Sequence, residues 1–121
     1  METPSAQPRA ATVAIVADDL IWASRLRAAA ERAGAAVGQA ASADLVIVDL
    51  TGRGYDGVTA VRTAASSGAT VIAVGQHEDI DVRKLALSAG AKRVYSYNKM
   101  FSDGPTVIAD WLARGAAEAH E

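Results

Sequence analysis

The feature that most constrains the fold is a set of three short, unbroken apolar runs rich in β-branched residues. They are TVAIVA (Thr12 to Ala17), DLVIVDL (Asp44 to Leu50) and TVIAVG (Thr70 to Gly75), and a weaker fourth, RVYSY, covers Arg93 to Tyr97. A strand with one wet face alternates apolar and polar residues, whereas a strand covered by helices on both faces is apolar throughout. The runs therefore predict a parallel sheet. The segments between them read as helices. From about Asp19 to Ala33, residues Leu20, Ala23, Leu26, Ala30 and Ala33 recur near a 3.6-residue period. Asp56 suits the N-cap of a helix through Val58, Val61 and Ala65, and Asp79 that of one through Val82, Leu85 and Leu87. Pro105 fits the first turn of a last helix carrying Val107, Ile108, Trp111 and Leu112. Three helix ends share one pattern, Ala33-Gly34-Ala35, Ser67-Gly68-Ala69 and Ala89-Gly90-Ala91, in which glycine accepts the left-handed cap conformation. Strands and helices alternating in this way predict an α/β fold with a doubly wound parallel sheet.

One βα unit is too short for the pattern. Only nine residues, Ala35 to Ala43, separate the first helix from the Asp44 strand. If residues 35 to 39 formed a strand two places from the next, the four left over would reach about 14 Å at full stretch. The return needs about 16 Å along the strand and about 10 Å across, or nearly 19 Å. The second βα unit is therefore truncated, and the sheet beside it is expected to be bare. An open edge or apolar patch invites pairing, so a homodimer or partner is expected on that side. Val37 is the residue expected to weaken such a complex without disturbing the fold.

With 121 residues, 50% hydrophobic and 21% charged, the chain holds one ordinary globular domain, expected over residues 12 to 114. Residues 1 to 11, with two prolines and no apolar run, are expected to be a disordered lead-in, neither export signal nor membrane anchor. Residues 115 to 121 are expected to fray. A net charge of −2 without a Lys/Arg cluster argues against nucleic acid as partner. The absence of cysteine removes disulfide, thiolate and zinc–thiolate chemistry and points to the cytoplasm.

In open α/β sheets, ligands bind beyond the carboxyl ends of the strands, near the point where strand order reverses. Those ends carry Asp18 and Asp19, then Asp49, then Gly75 to Glu78, then Tyr97-Asn98-Lys99. Three carboxylates on one rim would raise one another's pKa unless a cation neutralised them. An all-oxygen cluster of this kind suits Mg²⁺. Lys99 is a second candidate counter-charge.

The run DLVIVDLTGRGYDG resembles, without a gap, the central segment of response-regulator receiver domains, where an aspartate ends the strand and Asp-Gly opens the next helix. The likeness extends from IVADDL through TVIAVG and SAGAKRVYSYNKMF to the last helix. It implies a flavodoxin-like, receiver-like fold and a two-component signalling role. Asp49 falls on the phosphoacceptor, taking a phosphoryl group from a histidine kinase or a small phosphodonor. Mg²⁺ would be held by Asp49, by an acidic residue after the first strand (Asp18 or Asp19) and by the backbone carbonyl of Thr51.

The departures from that pattern are specific. Aligned on Gly34, the family's acidic pair falls on Ala17 and Asp18. The switch hydroxyl after TVIAVG is replaced by Gly75, which has no side chain to bond a phosphoryl group. Counted without a gap from Gly90-Ala91, the family's lysine falls on Tyr97, and Lys99 comes two residues late. A phosphorylation-independent pseudo-receiver, serving as an interaction or oligomerisation module, is the alternative. VIVDLTG is also similar to haloacid-dehalogenase-type phosphohydrolases, yet Thr51 stands where their second, acid/base aspartate is needed. His77 sits on an expected loop. Trp22 and Trp111 are packing residues or interface anchors.

Overall fold

The computed structural model describes residues 10–119. The strands are β1 (Thr12–Val16), β2 (Ala36–Gly38), β3 (Leu45–Asp49), β4 (Thr70–Gly75) and β5 (Arg93–Ser96). The helices are α1 (Leu20–Arg32), α2 (Gly57–Ser66), α3 (Ile80–Ala89) and α4 (Tyr97–Ala119). All strand pairs are parallel, in the order β2-β1-β3-β4-β5, so the order reverses between β1 and β3. This is the doubly wound sheet that the apolar runs predict, and it puts Asp18, Asp19 and Asp49 at the reversal.

Local signals act where the sequence places them. Asp19 Oδ1 accepts the Trp22 amide at 3.0 Å, and Asp79 Oδ1 accepts that of Val82 at 3.2 Å. Asp56 precedes α2 but turns to the Thr59 hydroxyl at 2.5 Å instead of capping an amide. Gly34, Gly68 and Gly90 all take positive φ, as the repeated helix-end pattern requires. Gly57 has a separate reason to be glycine: a Cβ there would stand 2.7 Å from the Leu50 backbone, so α2 begins in direct contact with the end of β3.

The last helix differs from expectation. Tyr97 leaves the strand and opens α4, which is interrupted at Asp103 (φ −126°) before continuing through Pro105 to Ala119. Pro105 thus sits in the first turn of the second segment. The segment from residue 115, where fraying is expected, is helical up to Ala119. The disorder expected for residues 1 to 11 lies mostly outside the described residues, but the Ala11 carbonyl accepts the Ala36 amide at 2.8 Å and so extends the pairing of β1 with β2.

The truncated unit closes by shortening its strand. β2 has three residues and stops level with Ala14, and a single 3₁₀ turn (Ala40–Ser42) replaces the helix. The return path along the strand shrinks accordingly, which is how so few residues span it. The expected bare face is corrected. Ala14 beneath the gap is only 2% exposed, and Ala40 and Ala43 pack with it and with Val46 and Val48. Val37 is corrected as well. It is half-buried against the α1 side of the core, so a charge there would disturb the fold along with any interface.

Two clusters fill the two sides of the sheet. Beneath α1 and α4 lie Leu26, Leu45, Ile47, Ile72 and Ile108, and beneath α2 and α3 lie Val46, Val48, Val61, Ala73 and Ala86. Among the described residues, no helix is long and apolar enough to cross a membrane.

Candidate functional site

Asp49 is the last residue of β3 and is 1% exposed, which makes it the sole charged residue in the described core. Withdrawing a carboxylate from water is costly unless hydrogen bonds replace the lost solvent. Here Oδ1 accepts the Thr51 amide at 3.1 Å, the Thr51 hydroxyl at 3.0 Å and the Tyr97 phenol. The Thr51 and Tyr97 hydroxyls also touch each other. Oδ2 takes no hydrogen bond from any described residue. No fully occluded side-chain polar atom is left unpartnered, so Oδ2 opens on the cleft beside it.

That cleft measures about 770 Å³ and is lined by Asp18, Asp19, Asp49 and Thr51, with Trp22, Tyr97, Arg53 and Gln76 around them. Asp18, Asp19 and Asp49 are therefore brought together as the strand ends predict, and Thr51, which the resemblance adds, lines the same cleft. Lys99 does not. It lies in α4, its Nζ pairs with Asp103 at 2.9 Å, and it faces a separate pocket beside Gly75, His77 and Arg83. Gly75 is buried at the end of β4, where a Cβ would come within 3.1 Å of the Leu50 side chain.

Tyr97, the residue that the gap-free count from Gly90-Ala91 reaches, donates its phenol to Asp49 Oδ1. Burial, reinforced by the Asp49 hydrogen bond, pushes its phenol above the ordinary range. It stays protonated and donates. Trp22 packs against it with ring centroids 4.7 Å apart.

Tyr55 is a residue whose role the sequence reading missed. Its hydroxyl donates to the Asp49 carbonyl at 2.6 Å and the Val16 carbonyl at 3.0 Å, tying the ends of β3 and β1 together. Burial first, then the negative charges of Asp49 and Asp18, pushes this phenol up too. The ring folds back over Gly52, where no Cβ would fit. The spacing of Gly52 and Gly54 before an aromatic residue was the available signal. Asp18 is held by the same loop: both oxygens accept the Arg53 amide at 3.1 Å, and Oδ2 accepts the Gly54 amide at 2.6 Å. These amide bonds, Gly54 first, hold its carboxyl below the usual carboxylate range.

Of the carboxylates expected to hold Mg²⁺, Asp49 Oδ2 and Asp19 Oδ2 accept no hydrogen bond from a described residue. An ion taking one or two carboxylates would complete its shell with water. Mg²⁺ demands near-octahedral oxygens at about 2.0–2.1 Å. Asp18 is engaged by loop amides and Asp19 Oδ1 by the α1 N-terminus, while Asp49 Oδ1 already accepts three donors. No three Asp, Glu, His or Cys side chains among the described residues stand close enough to hold a metal.

An open parallel sheet whose carboxyl-end cleft is centred on a buried aspartate defines the class of protein: a receiver-like α/β domain. Solved structures bear out the fold. The chain is similar to a CheY-like response-regulator receiver domain from Methanospirillum hungatei JF-1, with TM-score 0.78 and 18% identity over 91% of this chain and 99% of that one. A putative response regulator from Chloroflexus aurantiacus J-10-fl matches with TM-score 0.72 and 21% identity over 87% and 99%. A response regulator from Burkholderia pseudomallei, solved with a phosphorylated aspartic acid, calcium ion and citrate, matches with TM-score 0.69 and 18% identity over 90% and 73%. No protein-family model matches the sequence, and no curated protein is significantly similar to it.

Proposed function

We propose that this chain is a cytoplasmic signalling module of the two-component type that works as a pseudo-receiver, binding a partner such as a histidine kinase without phosphorylation of Asp49. The observation that carries this reading is the Tyr97 phenol on Asp49 Oδ1. Phosphoryl transfer proceeds by positioning and by neutralising charge on the phosphoryl oxygens. A neutral phenol supplies no such charge, and Lys99 pairs with Asp103 at the surface and lines a separate pocket. Gly75 offers no hydroxyl to follow an occupied site, and Asp18 is spent on the loop after β3. The lysine and the switch hydroxyl that usually assist phosphoryl transfer thus have no counterpart beside Asp49. The buried aspartate then serves the fold, as an anion that pins Thr51 and Tyr97 across the rim.

The decisive experiment is incubation with a small phosphodonor and Mg²⁺, followed by intact mass and, with beryllofluoride, by amide NMR. We expect no adduct and no shift of Thr51, Gly52 or Tyr97. An adduct lost in Asp49→Asn would replace this reading with that of a phosphoacceptor. The open Oδ2 is the feature that favours this second reading. Even then, with Gly75 at the switch position, occupancy would perturb only the nearest loops.

A further inference from the structure

Between α1 and α4 lies a groove of about 190 Å³ that shares no residue with the Asp49 cleft. Its floor is apolar, built from Ala28, Ala29, Met100 and Pro105. Phe101 lines it too and is 62% exposed. A lone exposed ring means little, but one set on an apolar depression marks a contact surface. Arg25 and Arg32 complete the lining, and no carboxylate does. The one ion pair among the described residues joins Lys99 to Asp103, so neither guanidinium is neutralised. Arg25 lies 4.6 Å from the Phe101 ring centroid and 5.4 Å from that of Trp22, which holds its charge at the groove. Unpaired positive charge over an apolar floor is complementary to an anion with an apolar body.

The dimensions say what kind of anion. Small-molecule sites enclose about 300–1,000 Å³. This groove is smaller, with room for anchoring side chains but not for a whole ligand. The two arginines stand seven residues apart on α1, about 10 Å along its axis. Backbone groups in mid-helix are satisfied within the helix, so an extended peptide would find no backbone partners here. A helix brings its own. It also presents residues seven apart on one face, with the third and fourth between them on the same side.

We propose that the groove between α1 and α4 receives an amphipathic helix of a partner protein. Two carboxylates seven residues apart pair with Arg25 and Arg32, and the apolar residues between them rest on Phe101 and the alanine floor. The inference rests on reading the chain as a partner-binding module and names that partner's chemistry. It requires no particular state of Asp49.

Amide NMR of the full chain at constant ionic strength tests it, with the capped peptide acetyl-Ala-Ala-Glu-Ala-Lys-Leu-Leu-Ala-Lys-Glu-Ala-Ala-amide. Two control peptides carry glutamine for both glutamates, or alanine for both leucines. We expect saturable shifts at Arg25, Ala28, Arg32 and Phe101, and none at Thr51 or Gly52. Affinity should fall about fivefold or more with either control. Arg32→Glu should lose binding, and lysine in place of one of the two glutamates should restore it to that variant. Ala28→Glu puts a negative charge on the groove floor and should abolish binding, whereas Arg83→Gln, on α3, should leave it unchanged. Arg32 and Ala28 are both exposed, so these variants leave the core intact. Equal binding of the glutamine peptide, no loss in Arg32→Glu, or no binding of the parent peptide at millimolar concentration would overturn the proposal. A wild-type dimer in sedimentation that Ala28→Glu dissociates would overturn it as well, by giving the groove to a second copy. Beryllofluoride on the same sample keeps the two readings apart. Shifts at Thr51 and Gly52 would remove the pseudo-receiver reading and leave the groove, whereas failure of the peptide would remove the groove alone.

Discussion

The two faces of the sheet reach full burial by different means. Under α1 and α4 the core is built from large side chains, with Leu26, Leu45, Ile47, Ile72 and Ile108 almost wholly enclosed. Under α2 and α3 it is built from valine and alanine, with Ala14, Ala64, Ala73, Ala86 and Ala91 among its members. Small side chains let the helices approach until backbone meets backbone, as Gly57 does over Leu50. The same smallness explains why a missing helix is tolerated there. A 3₁₀ turn of alanines suffices to cover Ala14, where a leucine or isoleucine would have stood in water. Side-chain volume and the number of covering elements are thus coupled, and a face of small residues needs less cover.

Leu26→Ala should give the largest effect, a loss of roughly 3–4 kcal/mol, because it empties a fully enclosed site on the large-residue face. Val61→Ala on the other face removes fewer atoms and should cost about 2 kcal/mol. Urea denaturation of both variants measures the contrast. Equal losses would mean that the faces contribute alike.

A second pair of variants applies one change to both faces. Gly57→Ala drives a methyl into immovable backbone at 2.7 Å and should destabilise by about 1–3 kcal/mol. Gly104→Ala meets the Ala29 methyl at 3.1 Å, a contact between two side chains that a small shift of the helices relieves. Its effect should stay within about 1 kcal/mol. Thermal melts of the pair decide it; a larger loss at Gly104 would refute the closer approach on the small-residue face.

The smallest effect concerns the rim that joins the two faces. Loop amides lower the folded-state pKa of Asp18 below the ordinary 3.8. A depressed carboxyl adds stability above its unfolded pKa, and that stability disappears as pH falls through the folded value. The difference in melting temperature between wild type and Asp18→Asn should therefore be constant near neutrality and shrink below about pH 4. A difference that grows on acidification would reverse the sign.

Sequence by itself determined the positions of β1, β3 and β4, the Asp79 cap and the convergence of Asp18, Asp19 and Asp49. Each of these follows from local chemistry or from the rule that strand ends meet at the point of reversal. Unbroken apolar runs can be satisfied only between two helical layers, and Asp49 closes one of them. The short span from Ala35 to Ala43 forced a truncated unit by distance alone. Tertiary structure decided which side chain meets Asp49. Counting placed Tyr97 at that position and left Lys99 as a contender if the loop were longer. The choice depended on α4 beginning at Tyr97, which turns Lys99 onto Asp103 one helical turn away. The reach of Tyr55 from its loop back to the carbonyls of Val16 and Asp49 was likewise beyond the sequence, as was the cover that Ala40 and Ala43 give to the sheet. These contacts join residues far apart in the chain, and no local preference encodes a distance between elements until the elements have packed.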